Sequence, residues 1–196
     1  MAGYSKRKAV SELASPPVRP KVAETLHPGV TEISTGCTLI YEQSAFPDPQ
    51  REEHLAFLKD KVDWRQTEIT VMGRKVMQPR EVAYMADNGL RYTYSRSQLT
   101  PAEFPEELQN IRERISTLAG GGADAAFNCC LLNHYRDGED HMGWHSDNER
   151  LFGTSPTIAS VSFGTRRDFV LRRNSDHAQK WKCPLGEGDI LIMKGA

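Results

Sequence analysis

The chain has 196 residues, four cysteines and a formal net charge of −1 at pH 7, which excludes a global basic field for nucleic acid and leaves recognition to local patches. No apolar run has the length of a membrane span, and the N-terminus lacks the apolar core of a signal peptide. The cysteines form no C-x-x-C pair, and the adjacent Cys129 and Cys130 suit free thiols. The sequence therefore predicts a soluble, intracellular protein.

Residues 1–34 are predicted to be a disordered basic tail that contains several prolines. Within it, Lys6-Arg7-Lys8 suits a nuclear-import signal or a loose phosphate-binding arm, and the alternative is a plain solvated leader. The composition becomes strand-like around Cys37-Thr38-Leu39-Ile40-Tyr41, so the folded domain is predicted to begin near this point.

Two helices are predicted in the first half of the domain. Apolar residues recur on one helical face over residues 49–64. The second helix is predicted from Thr100, a good N-cap followed by Pro101, to Leu118. A glycine run then ends it.

Short strands make up most of the remaining sequence. Four of them precede the second helix, at residues 67–72 and 76–78, which form a hairpin around Gly73, and at 81–85 and 90–94. Five more follow it, at residues 127–136, 158–163, 168–173, 180–183 and 189–193. This order predicts an α+β chain whose second half is a β-sandwich or jelly roll.

The segment His145-Ser146-Asp147 is the first candidate for chemistry. On an extended strand His145 and Asp147 point to the same side, and an imidazole beside a carboxylate is two thirds of a 2-His-1-carboxylate site for non-haem Fe(II). Alone, the pattern is weak. Asn133 and Tyr135 also share a strand face, and their neutral hydrogen-bonding groups suit an anionic organic ligand beside a metal, the alternative being an ordinary edge strand.

Several motifs in order and spacing resemble the AlkB family, from about residue 38 to the end of the chain. They are Asn133-x-Tyr135-x-x-Gly138, His145-x-Asp147-x-Glu149, Ser162-Phe163-Gly164 and Arg167-Asp168-Phe169. The resemblance implies a double-stranded β-helix (jelly-roll) core with N-terminal helices and a substrate-lid hairpin. It implies an N-terminal extension with a nucleotide-recognition lid over residues 35–126 and a partial dioxygenase jelly roll over 127–196.

The family resembled uses Fe(II), 2-oxoglutarate and O₂ to remove alkyl groups oxidatively from nucleic-acid bases. The resemblance implies repair of alkylated DNA, with 1-methyladenine and 3-methylcytosine as substrate bases and RNA as the alternative partner. It implies that His145 and Asp147 bind the metal and are catalytic, and that Asn133 and Tyr135 contact 2-oxoglutarate. It further implies a nuclear location, with the cytoplasm as a second compartment, a monomer and no membrane partner.

The same comparison assigns substrate contacts. Tyr92-Thr93-Tyr94 matches the pair that clamps a flipped base, and stacking of this kind contributes about 1–3 kcal/mol per base. Met72, Gly73 and Arg74 match an apolar hairpin that wedges open a base pair. Packing inside the fold is the alternative for Tyr92, Tyr94 and Met72. Asn148 departs from the acidic residue of close relatives, and the matching Glu149 is expected to cover its role.

The resemblance also implies a second histidine ligand and an arginine for 2-oxoglutarate, and neither has a match before Ala196. His177, which lies in an Asn-Ser-Asp-His turn, is expected to be a surface residue. A C-terminally truncated and impaired demethylase is therefore expected. The alternatives are a catalytically dead module that binds nucleic acid, or a 2-oxoglutarate oxygenase with another substrate. A zinc hydrolase is disfavoured because no third ligand occurs at suitable spacing.

Overall fold

The computed structural model describes residues 22–71, 73–87, 92–94, 97–99, 102–121, 127–147, 153 and 155–195. The helices in this part are α1 (Asp48–Asp60), a 3-10 helix (Glu106–Leu108) and α2 (Gln109–Leu118). The strands are β1 (Glu24–Thr25), β2 (Gly29–Ser34), β3 (Cys37–Glu42), β4 (Glu68–Val71), β5 (Arg74–Met77), β6 (Glu81–Ala86), β7 (Tyr92–Tyr94), β8 (Ser97–Leu99), β9 (Cys129–His134), β10 (Thr157–Ser162), β11 (Arg167–Arg172), β12 (Lys180–Leu185) and β13 (Asp189–Lys194).

Two β-sheets pack face to face and form the main body of the fold. One has the strand order β1-β12-β11 and the other has the order β10-β13-β3-β2. Apolar side chains from both sheets fill the space between them, among them Leu39, Tyr41, Trp181, Cys183 and Leu191. Together with the two helices, this sandwich agrees with the predicted α+β jelly-roll class, which is confirmed.

Strand β13 is buried on both of its faces because it lies between the three-stranded sheet and helix α2. Leu191 and Met193 face the three-stranded sheet. Ile190 and Ile192 point the other way and pack with Ile115 of α2. Since side chains alternate along a strand, a strand covered on both sides is apolar at consecutive positions, as the sequence of β13 is.

A separate antiparallel pair, β6 with β9, carries the residues that lead into the candidate site. Leu132 of β9 is buried with Met85 of β6, and Val62 and Leu108 complete this cluster. This apolar backing fixes the face from which Asn133 projects, because Asn133 is the next residue along β9. Two short hairpins, β4 with β5 and β7 with β8, form separate two-stranded sheets.

Residues 24–34, which were predicted to belong to the tail, form strands in both sheets. Glu24 pairs with Trp181 in parallel, and Val30 pairs with Ile40 in the antiparallel β2–β3 ladder. The predicted boundary at residue 34 therefore lies too far along the chain. These strands could not be recognised in the sequence because they are held by backbone hydrogen bonds and not by a buried apolar pattern; Val30, for example, is 72% exposed.

The predicted helix start at Thr100 is wrong. The backbone N–H of Ala102 donates to Tyr84 at 2.9 Å, and its carbonyl accepts from Ala86 at 3.0 Å, so this residue pairs with β6 instead. The helical path begins only after Pro105, whose ψ of 157° is extended. A residue before proline is disfavoured in the helical region, which explains the delay.

Other element ends differ less. Helix α1 ends at Asp60 rather than at Trp64, whose indole N–H instead donates to the Leu58 carbonyl at 2.8 Å. Strand β9 is shorter than the predicted 127–136 at both ends. Within the described ranges, no helix is long and apolar enough to cross a membrane.

Candidate metal and co-substrate site

The candidate site lies on the segment of residues 135–147, which directly follows β9. The segment has no regular secondary structure, so the extended strand considered for His145 and Asp147 does not form. Its path is set by side-chain contacts instead. These contacts involve charged residues near the turn at Gly138 and arginines at the two ends of β11.

The turn after β9 is held by two aspartates. Asp137 Oδ1 accepts hydrogen bonds from the backbone N–H groups of Glu139 at 2.8 Å and Asp140 at 3.1 Å. The carboxylate of Asp140 is buried and accepts from Arg136 through the backbone N–H at 3.0 Å and the guanidinium at 2.7 and 2.9 Å. These hydrogen bonds from Arg136 hold the pKa of Asp140 well below its usual range. The turn is therefore locked by a charged pair.

Arg167, at the start of β11, contacts the first residues of the segment. Its guanidinium donates to the carbonyls of Asp137 at 3.0 Å and Asp140 at 2.5 Å. The same group lies 4.5 Å from the ring centroid of Tyr135, a distance suited to a cation–π contact. Tyr135 is thus held by an arginine from the three-stranded sheet.

Contacts at the other end of β11 hold the end of the segment. The Arg172 guanidinium lies 4.3 Å from the ring centroid of Trp144. Just beyond β11, the side-chain amide of Asn174 donates to the hydroxyl of Ser146 at 3.3 Å. Residues 135–146 therefore run beside β11 in the same direction, and the sandwich positions the candidate ligands.

The imidazole of His145 has a defined orientation. Its Nδ1 lies 2.9 Å from the carbonyl oxygen of Gly143, and because a carbonyl can only accept, Nδ1 carries the proton and donates. This leaves Nε2 as the nitrogen with an available lone pair in the neutral ring. Nε2 faces Asp147, at 3.5 Å from Oδ1. An outward-facing nitrogen fixed by a backbone carbonyl is the usual arrangement of a metal-binding histidine.

The separation of His145 Nε2 and Asp147 Oδ1 fits a shared metal ion better than a hydrogen bond. At 3.5 Å it exceeds the range of ordinary N–H···O hydrogen bonds. Two ligand atoms bound at about 2.1 Å on adjacent positions of one metal lie about 3 Å apart. Both side chains remain partly open to solvent, at 42% for His145 and 35% for Asp147. The donor set of one nitrogen and one oxygen thus fits two positions of an Fe(II) site.

A third protein ligand is not brought to this pair by the described residues. Among them, no group of three or more histidine, cysteine, aspartate or glutamate side chains could hold a metal ion. His177 is exposed and lies in the turn between β11 and β12. The described part of the chain therefore unites His145 and Asp147 alone.

Asn133 is oriented by an arginine that the sequence did not single out. Arg80 is only 3% exposed, and its Nε donates to Asn133 Oδ1 at 2.7 Å. Since a guanidinium only donates, the amide oxygen faces Arg80 and the amide NH₂ faces away from it. One feature of the sequence could have indicated Arg80, because it directly precedes the predicted strand β6. This strand pairs with β9 in a register that places Val82 opposite Asn133, so Arg80 lies near Asn133.

Only some of the residues assigned to substrate binding are among the described residues. In the β4–β5 hairpin, Gly73 lies in the turn and Arg74 begins β5, and both are exposed. Met72 lies outside the described part. Tyr92, Thr93 and Tyr94 form β7, paired with β8, but their side chains are outside it. Asn148 and Glu149 also fall outside it.

The chain is similar in sequence to a known family of oxygenases and to several of its members. The family model described as 2OG-Fe(II) oxygenase superfamily matches residues 37–196. The chain is 36% identical over 149 residues to the DNA oxidative demethylase ALKBH2 of Arabidopsis thaliana, covering 74% of this chain and 46% of the relative. It is 37% identical over 132 residues to the human protein of that name, covering 64% and 49%.

A second group of relatives matches over a longer range. The human alpha-ketoglutarate-dependent dioxygenase alkB homolog 3 is 35% identical over 181 residues, which is 86% of this chain and 61% of the relative. The chain thus spans about half the length of the curated relatives it matches. Members of the matching family take Fe(II) and 2-oxoglutarate as cofactors. The chain belongs to the 2OG-Fe(II) oxygenase superfamily and is of the AlkB type.

Proposed function

We propose that this chain is part of an oxidative demethylase that repairs alkylated DNA, with 1-methyladenine and 3-methylcytosine as substrate bases. The observation that carries the proposal is the approach of His145 Nε2 to Asp147 Oδ1 at 3.5 Å in a chain of this superfamily. The names of the relatives, which include DNA oxidative demethylase, support the reaction and the class of substrate.

In this proposal His145 and Asp147 hold the iron. Bound Fe(II), with 2-oxoglutarate and O₂, supplies the oxidant that hydroxylates an N-methyl group, which leaves as formaldehyde while 2-oxoglutarate is converted to succinate and CO₂. The Gly143 carbonyl keeps the imidazole turned so that Nε2 faces the metal position. The chain itself binds, orients and presents the reactants.

Asn133 and Tyr135 are the proposed contacts of 2-oxoglutarate. The amide NH₂ of Asn133 faces away from Arg80, and two N–H donors suit a carboxylate of the co-substrate. The Tyr135 hydroxyl adds a further donor, and the Arg167 guanidinium over its ring places positive charge nearby. This environment suits a dicarboxylate.

The substrate contacts remain those that the resemblance implies. Tyr92 and Tyr94 are proposed to clamp the flipped base, with Thr93 between them, and the hairpin of Met72, Gly73 and Arg74 to enter a base pair. Asn148 and Glu149 are proposed to hydrogen-bond the base. The exposure of Gly73 and Arg74 is compatible with contact to DNA. We also propose a nuclear location.

Turnover by these residues is expected to be weak. The described residues supply two protein ligands, whereas a 2-His-1-carboxylate centre has three. A more weakly held metal leaves less of the protein in the active form at a given iron concentration.

The test is demethylation of a single-stranded oligonucleotide that carries one 1-methyladenine. The chain is incubated with Fe(II), 2-oxoglutarate and O₂, and mass spectrometry follows loss of the methyl group together with succinate. We expect slow, coupled demethylation that is abolished in Asp147→Ala and retained in His141→Ala, a matched change in the same segment. Succinate formed equally with and without the methyl group would point to another substrate.

Binding of the oligonucleotide without any turnover, unaffected by a chelator, would instead identify a binding module. This second function is favoured by one observation, the absence of a third ligand from the described residues.

A further inference from the structure

Trp144 is an exposed aromatic residue directly next to a candidate metal ligand. Its side chain is 52% exposed, whereas Trp64 is half-buried and Trp181 is 8% exposed. Indole rings are normally well covered in folded proteins, so half-exposure beside His145 indicates a surface made for contact. Trp144 directly precedes His145 in the chain, so the exposed ring and the candidate metal ligand are carried by neighbouring residues.

The cation that lies on this ring is not paired with an acidic side chain of the described residues. Arg172 is 4.3 Å from the Trp144 centroid and forms no salt bridge with any carboxylate among the described residues. Five other arginines of the described part do pair with acidic side chains, namely Arg51, Arg65, Arg112, Arg114 and Arg136. The Trp144–Arg172 pair, called the platform below, thus combines a half-exposed indole ring, which has Arg172 over one face, with a positive charge that an anionic ligand can neutralise.

A groove lined by polar residues lies at the end of β11 that carries Arg172. It has a volume of about 580 Å³ and is lined by Ser34, Thr35, Arg173, Asn174 and Ser175. Arg173 donates to the Ile33 carbonyl at 3.3 Å and forms no salt bridge within the described part of the chain. The bond from Asn174 to Ser146 ties the groove to the segment that carries His145.

The side chains that line the groove carry one positive charge, from Arg173, and no carboxylate. The nearest acidic residue in the same turn is Asp176, and its Oδ1 already accepts from the backbone N–H of Ala178 at 3.0 Å. Hydroxyls, an amide and a guanidinium are the groups that most often contact phosphate and sugar oxygens.

We propose that the platform stacks an unpaired base of single-stranded DNA and that the groove receives the phosphate attached to it. The site holds a nucleotide next to the one that is modified. Aromatic stacking beside basic groups is the usual way to bind single strands without sequence preference. In a duplex both faces of each base are covered by neighbours, so the platform selects single-stranded DNA. This inference rests on the proposed function, because it takes nucleic acid as the ligand.

The test is a fluorescence titration of the full chain with an unmodified ten-nucleotide oligothymidine, which needs no turnover. We expect the tryptophan emission to be quenched on binding and the quenching to be lost in Trp144→Phe. Removal of the ring in Trp144→Ala is expected to weaken binding about 5- to 150-fold, the range for loss of one stacked base. Melting curves of both variants report whether the fold is intact.

The charge is tested by the salt dependence of the same affinity. Because Arg173 is the cationic residue that lines the groove, Arg173→Gln is expected to lower the slope of log K against log salt by about 0.7, the value for one phosphate of a single strand. Arg166→Gln is the matched control, since Arg166 lies before the opposite end of β11 and should leave the slope unchanged. A duplex of the same length should bind more weakly and quench less.

Three results would overturn the inference. They are quenching that persists in Trp144→Phe, an affinity of Trp144→Ala within twofold of the parent, and equal binding of duplex and single strand. A polyglutamate peptide that competes as well as the oligonucleotide would show simple acidic-chain binding and would also count against it. If the oligonucleotide binds as expected but methylated DNA is not demethylated, the proposed function fails and the platform stands. If demethylation occurs and Trp144→Ala binds like the parent, only the platform fails.

Discussion

At the scale of single residues, the candidate site depends on neighbours that fix which atom faces the ligand. The Gly143 carbonyl selects the proton position on His145, and Arg80 selects the orientation of the Asn133 amide. Each neighbour acts through one short hydrogen bond in which the donor is unambiguous, because a carbonyl cannot donate and a guanidinium cannot accept. Ligand geometry is therefore set before any metal or co-substrate arrives.

Arg80→Lys tests this orientation. Lysine keeps the charge but lacks Nε–H at the position that meets Asn133 Oδ1, so the amide is no longer held in one orientation. We expect the dissociation constant of 2-oxoglutarate to rise about tenfold, at the lower end of the range for loss of an outer-shell partner. Isothermal titration calorimetry with Mn(II)-loaded protein measures it without turnover.

Arg112→Lys is the matched control for that measurement. Arg112 pairs with Asp87 through two hydrogen bonds of 2.7 Å, and its contacts are not with the candidate site residues. Equal affinities for 2-oxoglutarate in Arg80→Lys and the parent would show that Arg80 is structural only.

At the scale of elements, α1 is anchored to the fold by a buried histidine. His54 is 2% exposed and lies between the rings of Phe46 and Phe163, each with its centroid 5.5 Å away. Its Nε2 has no hydrogen-bond partner among the described residues, and the backbone of Glu107 interacts with the ring. Burial lowers the pKa of His54, with the nearby Glu53 carboxylate opposing the effect.

This burial predicts a loss of stability in mild acid. The unfolded chain binds the proton of His54 near pH 6.5, whereas the folded chain binds it only at lower pH. The free energy of unfolding is therefore not reduced by His54 above about pH 6.5, and it decreases as the pH falls below this value. Urea unfolding between about pH 7.5 and 5.5 should show this decrease, and His54→Leu should reduce it.

His141→Gln is the control for the pH series, since His141 is exposed and should leave the pH dependence of the parent unchanged. A His54→Leu protein with the full dependence of the parent would show that another group is responsible.

At the scale of the whole molecule, the sandwich supports the site through β11. This strand is the edge of its sheet, and its two ends contact the two ends of the segment that follows β9. The other sheet is centred on β13, which is buried from Asp189 to Met193. A change in the packing of the two sheets would therefore move Arg167 and Arg172 together with the ligand segment.

Much of this architecture could be predicted from the sequence, because β13 and β9 are apolar runs bounded by turn residues. The pairing of β2 with β3 could not, since Val30 is exposed and its strand has no apolar face to signal burial. The helix start at Thr100 failed because pairing of Ala102 with β6 outweighed a favourable capping sequence.

The candidate metal ligands, too, could be predicted from the sequence only in part. His145 and Asp147 were identified by spacing, yet their convergence does not arise from the regular strand that the spacing suggests. It arises in an irregular segment fixed by Arg136, Arg167 and the Gly143 carbonyl. The contact of Arg167 with Asp140 spans 27 residues and that of Arg80 with Asn133 spans 53, and contacts over such distances cannot be read from local patterns.

The central claim is that His145 and Asp147 hold a metal ion, and Mn(II) binding followed by electron paramagnetic resonance tests it most directly. The signal of free Mn(II) should fall as the chain binds one ion, and His145→Ala and Asp147→Ala should each weaken binding by more than about tenfold. His141→Ala should bind as the parent does, because among the described residues the His141 Nδ1 contacts the Glu139 carbonyl and the ring is not brought to His145 and Asp147. Equal Mn(II) affinity in the parent, His145→Ala and Asp147→Ala would contradict the account.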